Sequence, residues 1–294
     1  MRIPLQNTCV KTKGVSVIIC SQNQKTCQQA IESIKNTIGI EFEIIVFDNN
    51  DKQWGICKVY NHCALQANYS HLCFVHEDVV LPTPNWGKSI VEFIEKTPNC
   101  GVVGFAGGTI ATKNFMGWWS GTQGRFRYSD TVFYKPDKDY DISDLRFRYH
   151  NPENVDFAKV ITLDGLFLFT NYDVWKENPF DEEAIKGFHF YDADFTFGIA
   201  QKRQNYVCMT ADIYHFSGPN FDKSFYVNAQ IFQKKWKNKL PCTIGEEKIL
   251  FLYEHNNAIN LYHNSIKHGL EQEECKNHLI EINHDYEMSV KITK

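Results

Sequence analysis

Residues 71 to 82 read HLCFVHEDVVLP, and the apolar run 72–75 stops abruptly at His76, Glu77 and Asp78. An apolar run of this kind reads as a buried strand, and buried strands do not normally finish in ionisable groups. A carboxylate at a strand end, with nitrogen or oxygen ligands beside it, can hold a divalent cation, and such a cation can neutralise a diphosphate. At strand spacing His76 and Asp78 point to one side and Glu77 to the other. An imidazole next to a carboxylate suits Mn2+ somewhat better than Mg2+. The plainer reading of the triplet is a polar strand end that caps a loop.

Two later stretches carry similar chemistry. GFHFYDADFTFG (187–198) places Asp192 and Asp194 in aromatic surroundings just ahead of a helical pattern. One would cap the helix and the other would be a general base, its proton affinity raised by burial against Phe188, Phe190, Tyr191 and Phe195. The plainer alternative is a helix cap with a first-turn acid. YHFSGPN (214–220) puts His215 before a small flexible turn. It is a candidate metal ligand, although a lone histidine is more often an ordinary hydrogen-bonded one.

Stepping outward, the pattern that must position these groups alternates strand and helix. Strands are expected at 15–20, 42–47, 71–75 and 102–105, and helices at 26–36, 55–68 and 85–96. This interval implies an α/β fold with a mostly parallel central sheet covered by helices on both faces. Ligands then bind at the carboxyl ends of the strands. Those ends read Ser21-Gln22-Asn23, Asp48-Asn49-Asn50 and His76-Glu77-Asp78, so three polar ends should build one rim. Residues 109–157 break the pattern and read as an irregular flap over the site. Apolar runs at 160–163 and 166–169, a helix at 195–201 and a strand at 206–209 follow. Beyond about 240 the chain reads as helical and peripheral.

Composition narrows the class. The 294 residues carry a formal net charge of −4 and no basic block, which gives no support for nucleic-acid binding. Of the ten cysteines no two form a CxxC pair, so scattered reduced thiols are expected rather than a zinc site or a disulfide framework. No stretch approaches the ~20 apolar residues that span a bilayer. The expectation is a soluble cytoplasmic protein, compatible with peripheral contact at the inner face of a membrane. Lys234, Lys235, Lys237 and Lys239 are candidates for touching anionic lipid, a solvated helix face being the more ordinary outcome. The organisation expected is an N-terminal extension (1–13), an α/β domain (14–220) and a C-terminal helical appendage (221–294). The appendage would shape the substrate side of the site or an oligomer contact.

The order of these motifs resembles the family 2-like glycosyltransferases of the GT-A fold, and more narrowly the bacterial branch that assembles capsule and surface polysaccharide. The resemblance covers about residues 14 to 220. VSVIICSQN is similar to the family's opening strand and IIVFDNND to its second strand. The segment from Tyr60-Asn61 through FVHEDV is similar to the stretch leading into the DxD-like metal motif. LDGLFLFT, FHFYDAD and YHFSGPN are similar to the acceptor-side segments. The resemblance implies that Ser21, Asn23, Asp48 and Asn50 line the nucleotide pocket, with Asp48 on the base, commonly uracil. It implies that Asp78, with His76 and His215, binds Mn2+ or Mg2+ and the diphosphate. It implies that Asp192 stands where the family keeps its catalytic base, with Asp194 as its rival. Asp164 and Trp118 or Trp119 would lie near donor sugar or acceptor. The chain departs from the pattern twice: His76 replaces the first acid of the metal motif, and Tyr191 replaces an acid before Asp192.

The implied reaction is a single in-line displacement. A sugar moves, with inversion, from a nucleotide-diphosphate donor, a UDP-sugar first of all, to a glycan or lipid-linked acceptor. The alternative is a catalytically inactive relative that binds a nucleotide sugar or a glycan. A nucleotidyltransferase would need a glycine-rich basic loop after the first strand, and SQNQKTCQQ is not one. A nicotinamide-dependent oxidoreductase would need GxGxxG there.

Overall fold

Asn23 stops the first strand and starts the first helix. Its side chain accepts from the Lys25 and Thr26 amides, satisfying two of the helix's orphan donors. On one side lies β1 (Thr12–Ser21), with Val15, Val17, Ile18 and Ile19 fully buried on both faces. On the other lies α1 (Gln24–Thr37), which buries Cys27, Ala30 and Ile34 along one stripe. The computed structural model describes residues 11–121, 127–133, 147–216, 220–245, 250–270, 276, 277 and 280.

The chain continues through β2 (Phe42–Asp48), α2 (Ile56–Gln66), β3 (Tyr69–His76), β4 (Val79–Val80), α3 (Trp86–Lys96), β5 (Cys100–Gly104), β6 (Ala106–Gly108) and β7 (Ile110–Ala111). A single 3-10 turn (Trp118–Gly121), β8 (Arg127–Phe133) and β9 (Phe147–His150) follow. Next come β10 (Phe157–Val160), β11 (Thr162–Leu163), β12 (Phe167–Asn171), α4 (Tyr172–Glu177), α5 (Tyr191–Ala200), β13 (Gln204–Cys208) and β14 (Ile213–His215). The remaining elements are α6 (Lys223–Trp236), β15 (Cys242–Thr243) and α7 (Leu250–Lys267).

The central sheet has seven strands in the order β10-β13-β5-β12-β3-β1-β2. β1, β2, β3, β5 and β13 run one way, whereas β12 and β10 run against them. The expected α/β fold with a mostly parallel sheet is therefore present. One detail differs: antiparallel β12 is inserted between β3 and β5. It places Phe167 opposite Val75 and lets the His76 amide donate to the Leu166 carbonyl at 3.0 Å. Hydrophobic clusters fill both faces of the sheet. The one holding α1 and α3 includes Trp86, Phe105 and Phe167; the one holding α2 and α5 includes Tyr60, Phe74 and Phe195. Each such fully buried side chain contributes roughly 1.5–3 kcal/mol. α6 and α7 pack onto the second cluster through Phe225, Phe232, Ala258 and Leu261.

In a second sheet, β11-β6-β8-β14-β4 with β9 beside β8, the strands β4, β6 and β14 follow directly on β3, β5 and β13 of the first. The stretch 109–157 was expected to be an irregular flap, but its described parts include strands of this sheet. Residues 122–126 and 134–146 lie outside the described residues, as do Ser217 and Gly218. Among the described residues no helix is long and apolar enough to cross a membrane, and the cysteines described are free thiols.

Candidate active site

Parallel pairing sets the rim in register. Ser21 lies opposite Asp48, and Cys20 opposite His76. The three polar strand ends are thus neighbours, as the alternation of strand and helix predicts.

The odd acid of the triplet faces away from the other two. Glu77 accepts from Ser21 Oγ at 2.7 Å, from the Gln22 amide at 3.1 Å and from the Asn23 amide at 2.9 Å. It therefore holds the turn between β1 and α1. Ser21 and Asn23 both sit on the rim, but their side chains are committed, Ser21 to Glu77 and Asn23 to its helix cap. Asp48 Oδ1 accepts from the amide and the side chain of Asn50. Beyond them Trp54 stacks on Phe47 with ring centres 5.2 Å apart, under the ammonium of Lys58.

His76, Asp78 and His215 converge. His76 Nδ1 is 3.3 Å from His215 Nε2, and His215 Nε2 is 3.3 Å from Asp78 Oδ1. The distant histidine arrives because β14 pairs with β4, setting His215 opposite Val79, and the Phe216 amide donates to the Asp78 carbonyl at 2.9 Å. One ligand atom from each residue fits within 4.8 Å, and among the described residues this is the cluster that could hold a metal. Two imidazole nitrogens and a carboxylate oxygen are a donor set that suits a divalent transition-metal ion. Burial lowers the His76 pKa against the pull of Asp78, keeping that ring neutral as a ligand must be. For His215 burial also disfavours the cation, but the bond to Asp78 outweighs it and the pKa rises.

The base candidates part company in the first turn of α5. Asp194 is 4% exposed, and its oxygens accept from Lys235 Nζ and Trp236 Nε1, both at 2.8 Å. Burial raises its pKa, opposed by the Lys235 bond. It faces α6, away from the rim. Asp192 is half-buried on the rim side, and its Oδ2 accepts from the Gly165 amide at 3.0 Å. Burial, with the charge of Asp164 second, raises its pKa to about 7. Tyr191 links this turn to the metal candidates, its hydroxyl lying 2.7 Å from His76 Nε2. Gly165 must be glycine here, because a Cβ would come within 2.0 Å of the Tyr191 hydroxyl oxygen.

Asp164 lies beside Asp192, but the two tryptophans differ. Trp118 is 5% exposed and donates from Nε1 to Asp164 Oδ2 at 2.5 Å, so it offers no open face for a sugar to stack on. Trp119 is half-buried and meets Phe221, itself 39% exposed, at 5.5 Å. Lys235, a candidate lipid contact in the sequence, is instead shared by Asp181 and Asp194. The roles of Glu77, Gly165 and Tyr191 were not read from sequence. Only Glu77 left a signal, its odd position in the strand alternation.

The sequence profile of the glycosyltransferase-like family matches residues 16–240, and the chain belongs to that family. Family and fold together support a transferase. The chain resembles the solved structure of GalNAc-T7 with UDP, GalNAc and Mn2+ at 11% identity and a TM-score of 0.52. That match covers 95% of this chain and 58% of the other, so this chain spans little more than half of its length. Staphylococcus aureus TarS 1-349 matches at 14% identity and a TM-score of 0.48, covering 85% of this chain and 72% of TarS. At these identities the likeness concerns the fold, which is of the GT-A type. No curated protein matches the chain.

Proposed function

We propose that the protein transfers a sugar, with inversion, from a nucleotide-diphosphate donor to a hydroxyl of a glycan or lipid-linked acceptor in surface polysaccharide synthesis. The observation that carries this reading is the bond from Tyr191 to His76. It ties the helix that presents Asp192 to the group that would hold a metal. A base for the acceptor and a clamp for the diphosphate thus form one rigid unit. The GalNAc-T7 structure, whose ligands are UDP, GalNAc and Mn2+, supports a UDP-sugar as the donor to test first.

Asp192 takes the acceptor's hydroxyl proton, with its Oδ2 fixed by the Gly165 amide. The hydroxyl oxygen forms the new bond to the anomeric carbon. The old bond from that carbon to the diphosphate breaks and its electron pair leaves with the diphosphate. His76, Asp78 and His215 would hold Mn2+, which when bound neutralises the leaving group's charge. The turn held by Glu77 and the Asp48–Asn50 pair border the nucleoside. Trp119 and Phe221 offer an aromatic face for a sugar ring. Positioning and preorganised charge supply most of the rate.

The test is a panel of UDP-sugars with and without Mn2+, following nucleotide release. Mn2+-dependent release of UDP from one sugar donor, lost in Asp192→Asn, is expected. Nucleotide binding without turnover in any combination would make the chain a binding relative.

A further inference from the structure

Trp118 and Asp164 were expected to touch sugar, yet their strongest contacts are with each other and with the turn that holds Asp192. Trp118 Nε1 donates to Asp164 Oδ2 at 2.5 Å. Asp164 Oδ1 accepts from the Leu166 amide at 2.9 Å, and the Asp164 amide donates to the Ala106 carbonyl at 2.8 Å. These bonds fix the turn 164–166, whose middle amide, that of Gly165, donates to Asp192 Oδ2. A second tie lies close by. The Thr196 hydroxyl oxygen accepts from the Leu163 amide at 3.2 Å and its O–H donates to the Asp192 carbonyl at 2.6 Å. The first turn of α5 is thus stapled at two points to the segment that Trp118 pins.

We propose that Trp118 and Asp164 are positioning residues, a clamp that fixes the Asp192 carboxylate through the turn 164–166. The proposal rests on the reading of Asp192 as the base. The clamp is seated from outside. Glu254 of α7 accepts from the Lys113 amide at 2.8 Å, Asn257 of α7 donates to Thr112 at 2.9 Å, and Gln233 of α6 donates to the Phe115 carbonyl at 3.1 Å. The loop leading to Trp118 is therefore held by both C-terminal helices.

The groups that bear on Asp192 are few. Asp164 comes from the turn, Tyr191 from its own helix and Cys57 from α2. Burial keeps the tyrosine and the thiol protonated. Asp164 is the charge that acts on Asp192, and a like charge nearby favours the protonated acid.

Carboxyl 13C NMR of protein labelled at aspartate, without any sugar donor, tests the clamp. The Asp192 resonance is identified by its loss in Asp192→Asn, and its midpoint is expected near pH 7. In Asp164→Asn it should fall by about one pH unit or more. Trp118→Phe keeps an aromatic ring but loses the five-membered ring and its N–H, and a smaller shift of the midpoint is expected as Asp164 loses the partner that holds it. Donor turnover in Trp118→Phe should drop about tenfold with the donor KM unchanged. A midpoint that stays put in both variants overturns the proposal; if Asp164→Asn does not fold, an unmoved midpoint in Trp118→Phe does so alone. A midpoint that moves in a protein inert to every nucleotide sugar would leave the clamp standing and remove the transferase reading.

Discussion

Lys235 holds Asp194 at 2.8 Å and Asp181 at 2.7 Å, so one ammonium joins α5 to the loop before it. An acid spent in this way has no route to an acceptor hydroxyl. Asp194→Asn should lower the unfolding free energy by about 2 kcal/mol, less than a wholly dry pair because water still reaches Lys235. Turnover per folded molecule should change little. Thermal melts and kcat on the same preparation separate the two effects.

Asp192→Asn is expected to act the other way. Transfer should fall by roughly 10²–10⁴-fold, the usual range for a lost acid–base group. Nucleotide affinity, measured by titration calorimetry, should stay within about twofold. Activity retained in this variant would remove Asp192 from the mechanism.

The pH dependence follows from the same carboxylate. Its pKa in the folded protein is raised to about 7, against ~3.9 for an unperturbed aspartate. Only the ionised form accepts a proton, so log(kcat/KM) should climb with unit slope and level off above pH 7. Stability should move in the opposite sense. The folded state keeps a proton that the unfolded state has lost, so this group's stabilising contribution is present below about pH 4 and disappears as pH rises to about 7. The difference between native protein and Asp192→Asn in denaturant melts across pH 4–8 isolates it.

On the proposed reading Mn2+ plus UDP should raise the melting temperature; Asp78→Ala should abolish that stabilisation, and His215→Ala should weaken it at least tenfold in Mn2+ concentration. A ligand at ~100 times its Kd stabilises a protein by ~2.7 kcal/mol, a change that is easily seen. Unchanged stabilisation in Asp78→Ala would disprove its role as a ligand.

Glu77→Ala removes the acceptor for the Ser21 hydroxyl and for the Gln22 and Asn23 amides. The turn is partly solvated, so a cost of about 1–2 kcal/mol is expected. UDP affinity should fall as the turn loosens. Glu77→Gln keeps an acceptor and should recover part of both, which melts and calorimetry can show.

Much of this arrangement was legible in the chain because it is local. The apolar runs that became β1, β2 and β3 announce buried strands, and the polar residues that end them announce a rim. The opposed orientations of Asp78 and Glu77 follow from the two-residue repeat of a strand. What Glu77 faces could not be read, since its partners lie more than fifty residues away. The direction of β12 was hidden for a similar reason: a run such as LFLF is equally apolar in either orientation. β8 and β9 carry too many polar and charged residues to look like strands. Trp118 looked like a sugar platform because an aromatic residue near a site has an open face until its burial is known. Tyr191 looked like a lost acid, and its bond to His76 spans 115 residues.

The pairing of β14 with β4 also has a meaning for the order in which the protein is made. A ribosome delivers His76 and Asp78 early, Asp192 much later, and His215 last of all. Until β14 slots in beside β4, the nascent chain has an aspartate and one imidazole where the finished protein brings together three side chains able to hold a metal. On the proposed reading, a metal-bound nucleotide would meet its full set of protein ligands only once β14 is paired.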